Sequence, residues 1–183
     1  MQVIETEIQG PRILVPKKIG DQRGFFSEVY SRKSLAAAGI DVDFIQDNHS
    51  LSVQKNVVRG MHYQIAPKAQ DKLVRVVRGS ILDVIVDVRR KSPTFGRHIA
   101  VELSVENWKQ AFVPVGFAHG FITLEPNTEV LYKVSNEYSP EHERAFRWND
   151  PSLEIEWGAD ESEAILSPRD KTHPMFKDLK DLF

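Results

Sequence analysis

The sequence predicts one antiparallel all-β domain, either a closed barrel or a double-sheet sandwich, and three observations carry that prediction. Short apolar runs alternate with polar residues at a period of two between about residues 42 and 135, the mark of half-buried strands. Turn signals recur between the runs, in KIGDQRG, at Gly79, in KSPTFG and between Pro114 and Gly116. Helical character is confined to one short stretch and a polar tail. No linker, low-complexity tract or repeat divides the 183 residues, so a single domain over 1–183 with a sizeable core is expected.

In chain order, residues 1–30 offer short strands in GPRILVP and FFSEVY. The polar turn KIGDQRG separates them, placing Asp21, Arg23 and Gly24 ahead of two phenylalanines, with Glu28 following. SRKSLAAAG (31–39) predicts a helix, with a serine to cap it, an alanine run and Gly39 as its stop. Residues 42–64 return to extended character. There Gln46, Asn48, Ser50 and Ser52 are spaced by two and would project from one face. Such a face is either solvated or the wall of a polar cavity that reads the donors and acceptors of a bound ring or sugar.

The segment from Val58 to Val88 sets ionisable groups in strand-like apolar sequence. Arg59 and His62 come first, then Lys72, which shares a face with Val74 and Val76 while Leu73, Arg75 and Val77 share the other. An ammonium on an apolar face is costly unless it has a task. In ILDVIVDV, Leu82, Val84, Val86 and Val88 oppose Ile81, Asp83, Ile85 and Asp87. RHIAVELS alternates again. AFVPVGFAHGFITLE reads as strand, turn and strand, with His119 just before Gly120. TEVLYKVS puts Val130, Tyr132 and Val134 together, and on this pattern alone Tyr132 is a core residue with a satisfied hydroxyl. The tail KTHPMFKDLKDLF predicts one or two helical turns.

Composition narrows the function classes. Net charge is −2 with no basic block, which disfavours nucleic acid as a partner. There is no cysteine, hence no disulfide framework and no thiolate chemistry. No apolar run approaches the roughly 20 residues of a membrane span, and acidic residues interrupt MQVIETEIQG, so a cytoplasmic protein without membrane contact is expected.

The candidate chemistry is proton transfer. An HxH metal pair would need a histidine at Gln64, and Ile65, Ala66, Pro67 and Lys68 supply no carboxylate, so no metal is expected. Glycine-rich nucleotide loops and the G-x-S-x-G nucleophile turn are absent. What survives is general acid–base work by His62, helped by a cation at Lys72 or Arg59, with Tyr132 as a second proton-transfer group. A histidine base needs its other ring nitrogen held by an acceptor, and Asp83, Asp87 and Asp170 are all candidates.

RGMHYQ (59–64), PKAQDKLVRVVRGSILDVIVDVRRKSPTFG (67–96), VPVGFAHGF (113–121), YKVSNEYSPEHE (132–143), WNDP (148–151) and LSPRD (166–170) together resemble the dTDP-4-dehydrorhamnose 3,5-epimerase family. DQRGFFSE (21–28) and QDNHSLS (46–52) resemble it too, in the family's order and over nearly all of residues 21–170. The resemblance implies a cupin-type jelly roll, a homodimer, and isomerase activity in dTDP-L-rhamnose biosynthesis with no metal or redox cofactor. It implies His62 as base, Asp170 as the carboxylate that orients it, Tyr132 as acid and Lys72 as the cation on the C4 enolate oxygen. His119 is similar to a residue lining the sugar pocket. Arg59, Arg23 and Arg169 are similar to pyrophosphate contacts, and Phe26, Glu28, Gln46, Asn48 and Tyr138 to nucleoside contacts, some reaching the partner subunit's site. Two departures stand out: Gly158 follows Trp157 where proline is usual, and Arg169 replaces the usual lysine. An epimerase acting at only C3 or C5 of a dTDP-4-ketosugar would share nearly all these residues. A non-catalytic cupin that binds nucleotide sugars would have the pocket without needing His62, Lys72 and Tyr132 together.

Overall fold

A computed structural model describes residues 1–183. The chain opens with β1 (Gln2–Glu5) and β2 (Arg12–Val15), then the hairpin of β3 (Ile19–Asp21) and β4 (Gly24–Phe26), then one helix, α1 (Arg32–Ala37). β5 (Gln46–Ser52), β6 (Val58–Gln64), β7 (Lys72–Arg78) and β8 (Ser80–Asp87) follow. β9 (His98–Ser104), β10 (Gln110–Val113), β11 (Phe117–Thr123), β12 (Thr128–Val134) and β13 (Glu143–Ala145) complete the strands. The C-terminal stretch holds three 3₁₀ turns, Pro151–Leu153, Asp170–Thr172 and Phe176–Asp178. No helix is long and apolar enough to cross a membrane.

Two antiparallel sheets face each other as a jelly roll. One has six strands in the order β1-β2-β10-β7-β12-β5, the other five in the order β13-β6-β11-β8-β9. Between them pack Val74, Val76, Ile81, Ile85, Leu103, Phe117, Phe121 and Val130. The outer face of the five-stranded sheet is buried as well. Met61, Tyr63, Val84 and Val86 lie under the C-terminal segment with its Trp148, Trp157 and Phe176. Leu35 of α1, together with Ile40, covers Leu14, Leu73 and Phe112 on the outer face of the other sheet. Burial on both faces explains why β8 reads as nearly continuous apolar sequence rather than strict alternation. α1 forms where expected: Ser31 caps it by accepting from the Ser34 N–H, and Gly39 leaves it at φ +75°.

The structure differs from the sequence reading at both ends of the chain. KIGDQRG is not only a turn, because its Ile19–Asp21 pairs with Gly24–Phe26, and the strand expected through FFSEVY stops at Phe26. β1 and β13 are three or four residues long and have too little alternation to register as strands. The β3–β4 hairpin pairs with neither large sheet. It forms an arm in which every residue from Lys17 to Phe26 is exposed, Phe26 by 70%. Phe25 meets the Trp108 ring edge-on at 5.0 Å, and Lys18 lies 3.9 Å above the same ring. Gly158 has φ +72°, a backbone that proline cannot adopt.

Candidate active site

Where the apolar packing between the sheets stops, two adjoining cavities of about 360 and 310 Å³ share His62, Lys72 and Tyr132. His62 projects from β6 of the five-stranded sheet. Tyr132 and Lys72 project from β12 and β7 of the six-stranded sheet. An imidazole and a phenol thus stand on opposite walls of one cavity, with an ammonium beside the phenol. The period-two reading that grouped Lys72 with Val74 and Val76, and Tyr132 with Val130 and Val134, is the reading that points them inward.

The backbone around His62 depends on a close approach of two strands. His62 is the cross-strand neighbour of His119, and the β6–β11 register shifts between His119 and Phe121. A β-carbon on Gly60 would lie 2.5 Å from the Gly120 α-carbon, and Gly60 has φ +141°. Only glycine fits both demands.

The three candidate acceptors for His62 separate cleanly. Asp170 Oδ1 lies 2.8 Å from His62 Nε2. Asp83 is engaged with His119 at 2.7 Å, and Asp87 binds Arg89, Ser92 and Thr94. Burial works against ionisation of Asp170, but hydrogen bonds from His173, His62 and Ser167 outweigh it and hold the carboxyl well below the usual carboxylate range. An ionised carboxylate only accepts, so His62 Nε2 carries a proton, and it is the neutral form of this ring that offers a lone pair at Nδ1.

Lys72 is partly shielded by its strand neighbours, and burial pulls its ammonium down to about 8, opposed by the charges of Asp83 and Glu143. Burial raises the Tyr132 phenol, with Arg59 pulling the other way and Glu143 adding to the rise, so the hydroxyl stays a proton donor at neutral pH.

The remaining predicted residues divide into two groups. Gln46, Asn48 and Tyr138 line one cavity, and Arg59, His119 and Arg169 line the other with Asp170. Ser50 joins them, so the amide- and hydroxyl-bearing face of β5 is a cavity wall rather than a solvated surface. Arg23, Phe26 and Glu28 lie away from both cavities, Arg23 and Phe26 on the β3–β4 arm and Glu28 just past it. There Arg23 pairs with Asp21, and Glu28 accepts from the Ser34 hydroxyl at 2.8 Å.

Sequence reasoning missed Glu143, Ser167 and His173. Glu143 accepts from the Tyr138 hydroxyl at 2.9 Å and forms an ion pair with Arg169. Gln64, at the second position of the absent HxH pair, spends its side chain on the backbone of Lys68, Glu137 and Ser139. The carboxylate that does meet His62, Asp170, comes from 108 residues along the chain. His62, Asp170 and His173 have donor atoms within 4.8 Å of one another, the set best placed to hold a metal ion, and these atoms are engaged with each other by hydrogen bonds.

The sequence model of the dTDP-4-dehydrorhamnose 3,5-epimerase family matches residues 5–178. The dTDP-4-dehydrorhamnose 3,5-epimerase of Shigella flexneri is 48% identical over 179 residues, spanning 97% of each chain. The crystal structure of the Bacillus anthracis epimerase, with TDP and PPi bound, is 46% identical with a TM-score of 0.93, covering 96% of this chain and 99% of that one. The Legionella pneumophila epimerase, in complex with dTDP-4-keto-L-rhamnose, is 42% identical with a TM-score of 0.93, covering 98% and 94%.

Proposed function

The chain belongs to the dTDP-4-dehydrorhamnose 3,5-epimerase family, and we propose that it inverts both C3 and C5 of dTDP-4-dehydro-6-deoxy-D-glucose to give dTDP-4-dehydro-L-rhamnose. The observation that carries the mechanism is the placement of His62 and Tyr132 on opposite walls of one cavity, with Lys72 beside them.

The 4-keto group acidifies the hydrogens on its two neighbouring carbons. His62 Nδ1 takes one as a proton, the C–H electron pair moves into the ring, and negative charge collects on the C4 oxygen. The Lys72 ammonium stabilises that charge in a site shielded from water. Tyr132 then delivers its phenolic proton to the planar carbon from the other face, which inverts the centre. One turn leaves an imidazolium and a phenolate, so each inversion ends with both groups returning to their starting protonation states. No electrons are gained or lost, so the cycle needs no redox cofactor. Asp170 keeps the base in the competent tautomer.

In this reading Arg59 and Arg169, which line one cavity, bind the pyrophosphate, and Gln46, Asn48 and Tyr138, which line the other, bind the nucleoside. Arg23, Phe26 and Glu28 reach no cavity of their own subunit. A homodimer in which the arm of one copy completes the nucleoside site of the other gives them a ligand, and it also covers Phe26. A nucleotide-sugar substrate fits a cytoplasmic enzyme.

Proton NMR of dTDP-4-keto-6-deoxyglucose with enzyme in deuterated water tests the assignment. Loss of the C3 and C5 proton signals, with the L-rhamno product appearing, is expected. Loss at one carbon would establish a single-site epimerase, and loss at neither would leave a binding protein.

A further inference from the structure

We propose that His173 is a positioning residue for proton abstraction, holding the Asp170 carboxylate so that its Oδ1 stays aimed at His62. The inference rests on the reading of His62 and Asp170 as base and orienting acceptor, and adds a third member to that pair.

Asp170 Oδ1 is shared. His62 Nε2 approaches it at 2.8 Å and His173 Nε2 at 3.2 Å, while Oδ2 accepts from the Ser167 hydroxyl at 2.9 Å. Asp170 is buried, and the His173 side chain is only 10% exposed. The two imidazole rings meet edge-on, their centroids 5.6 Å apart and their planes at 87°. Because the carboxylate only accepts, both Nε2 atoms donate to one oxygen from two directions. That fixes the carboxylate plane as well as its position. With His173 removed, Oδ1 keeps only the His62 donor and Oδ2 the Ser167 hydroxyl, so the carboxylate and the base it should orient are free to turn together.

His173 is itself held rigidly. Pro174 follows it and favours the extended backbone observed, with ψ 147° at His173. The Pro174 carbonyl accepts from the Arg147 N–H at 2.8 Å. Two residues on, the Phe176 N–H donates to Asp150 at 2.6 Å, and the Phe176 ring packs against Phe95 and Phe146. His173 lines an outer cavity of about 420 Å³ with Arg144 and Asp181 rather than either cavity that holds His62. It therefore acts through Asp170 and not by touching substrate. Nor is its ring spent on the core: the apolar packing beneath it is made by Phe176 and its neighbours.

The test compares His173→Leu with His173→Gln in the full-length enzyme, measuring kcat, KM and the nitrogen-15 signals of the His62 ring, with thermal melts to confirm folding. Leucine supplies no donor, whereas a glutamine amide can still donate to Asp170. Loss of ring alignment predicts a fall of about 10-fold in kcat for His173→Leu with KM within about twofold, below the roughly 10²-fold that follows a full ångström of misplacement. His173→Gln should recover most of it. The His62 ring should hold one tautomer in wild type and His173→Gln and populate both in His173→Leu. Wild-type kcat in His173→Leu would overturn the proposal, as would equal losses in the two variants. His62→Asn is the control for the underlying reading. If it still exchanges deuterium normally, the base itself is misassigned. If it is inactive while His173→Leu is not, only the role of His173 falls.

Discussion

Replacing Lys72 with methionine should make the protein more stable and far less active. Methionine keeps the length of the stem and removes the charge. A lysine whose folded pKa is about 8 against an ordinary 10.5 destabilises the fold, while protonated, by about 3 kcal/mol at about 1.4 kcal/mol per pKa unit. The cavity is open to water in the free enzyme, which brings the expected gain to between about 1 and 3 kcal/mol at pH 7. At roughly 2–4 °C per kcal/mol for a chain of this size, melting should rise by several degrees. The pH dependence has a fixed sign. Below pH 8 both folded and unfolded chains carry the proton and the whole difference between variant and wild type is present. As pH rises from 8 to 10.5 the folded wild type releases its proton first, so its stability climbs towards that of Lys72→Met. Turnover should fall about 10²–10³-fold, the usual effect of removing one stabiliser of a developing oxyanion. In wild type, kcat/KM should decline above pH 8 as the free enzyme loses the ammonium. Melts at pH 7 and pH 9.5 with NMR turnover assays measure all of this. A Lys72→Met protein that is less stable at pH 7 and still turns over at near wild-type rates would show that Lys72 is a structural residue.

Three further outcomes are expected. His62→Asn should abolish exchange at both carbons, by about 10²–10⁴-fold or more, and Asp170→Asn should impair the same step. Their double mutant should be little worse than His62→Asn, because the two serve one transfer; multiplicative losses in steady-state kinetics would show them to be independent. Analytical ultracentrifugation should give about twice the 20.9 kDa chain mass, and a fully active species of single-chain mass would contradict the shared site. Dialysis against chelator, checked by elemental analysis, should leave turnover unchanged, since His62 and His173 turn N–H groups rather than lone pairs towards Asp170; a loss restored by iron, manganese or zinc would contradict that arrangement.

How much of this was legible in the sequence varies with the range of the interaction. The central strands were readable because period-two alternation is local, and it grouped Lys72 with Val74 and Val76, Tyr132 with Val130 and Val134, and the Gln46–Ser52 row on one face, leaving open whether that row met solvent or a cavity. The partner of His62 was not. Asp83, Asp87 and Asp170 are equivalent in composition, and only the fold brings a residue 108 positions away to the imidazole while giving Asp83 to His119 and Asp87 to Arg89. The family resemblance, not periodicity, singled out Asp170. His173 left one faint signal, a histidine three residues after an aspartate in a turn-forming stretch. Glu143 left none, sitting in a polar run with Glu137 and Glu141. The β3–β4 arm was legible as a surface hairpin around KIGDQRG but its register was not, because its pairing is backbone to backbone between exposed residues and no buried face imposes a pattern.

The central claim is that His62 and Tyr132 divide two proton transfers between opposite faces of the sugar, and Tyr132→Phe tests it most directly. The substitution keeps nearly all of the ring volume that packs beside Val130 and deletes only the hydroxyl. A tyrosine of purely structural value would lose about 0.5–1.5 kcal/mol of stability with its hydrogen bond and little activity. As the acid, Tyr132 leaves the melting temperature almost unchanged and takes net inversion down by about 10²–10⁴-fold. His62 remains able to remove a proton in this variant and to return a deuteron to the same face. The expected result in deuterated water is therefore measurable deuterium incorporation at C3 and C5 with strongly suppressed inversion. Inversion that keeps pace with exchange at near wild-type rates would contradict the assignment and return Tyr132 to the core.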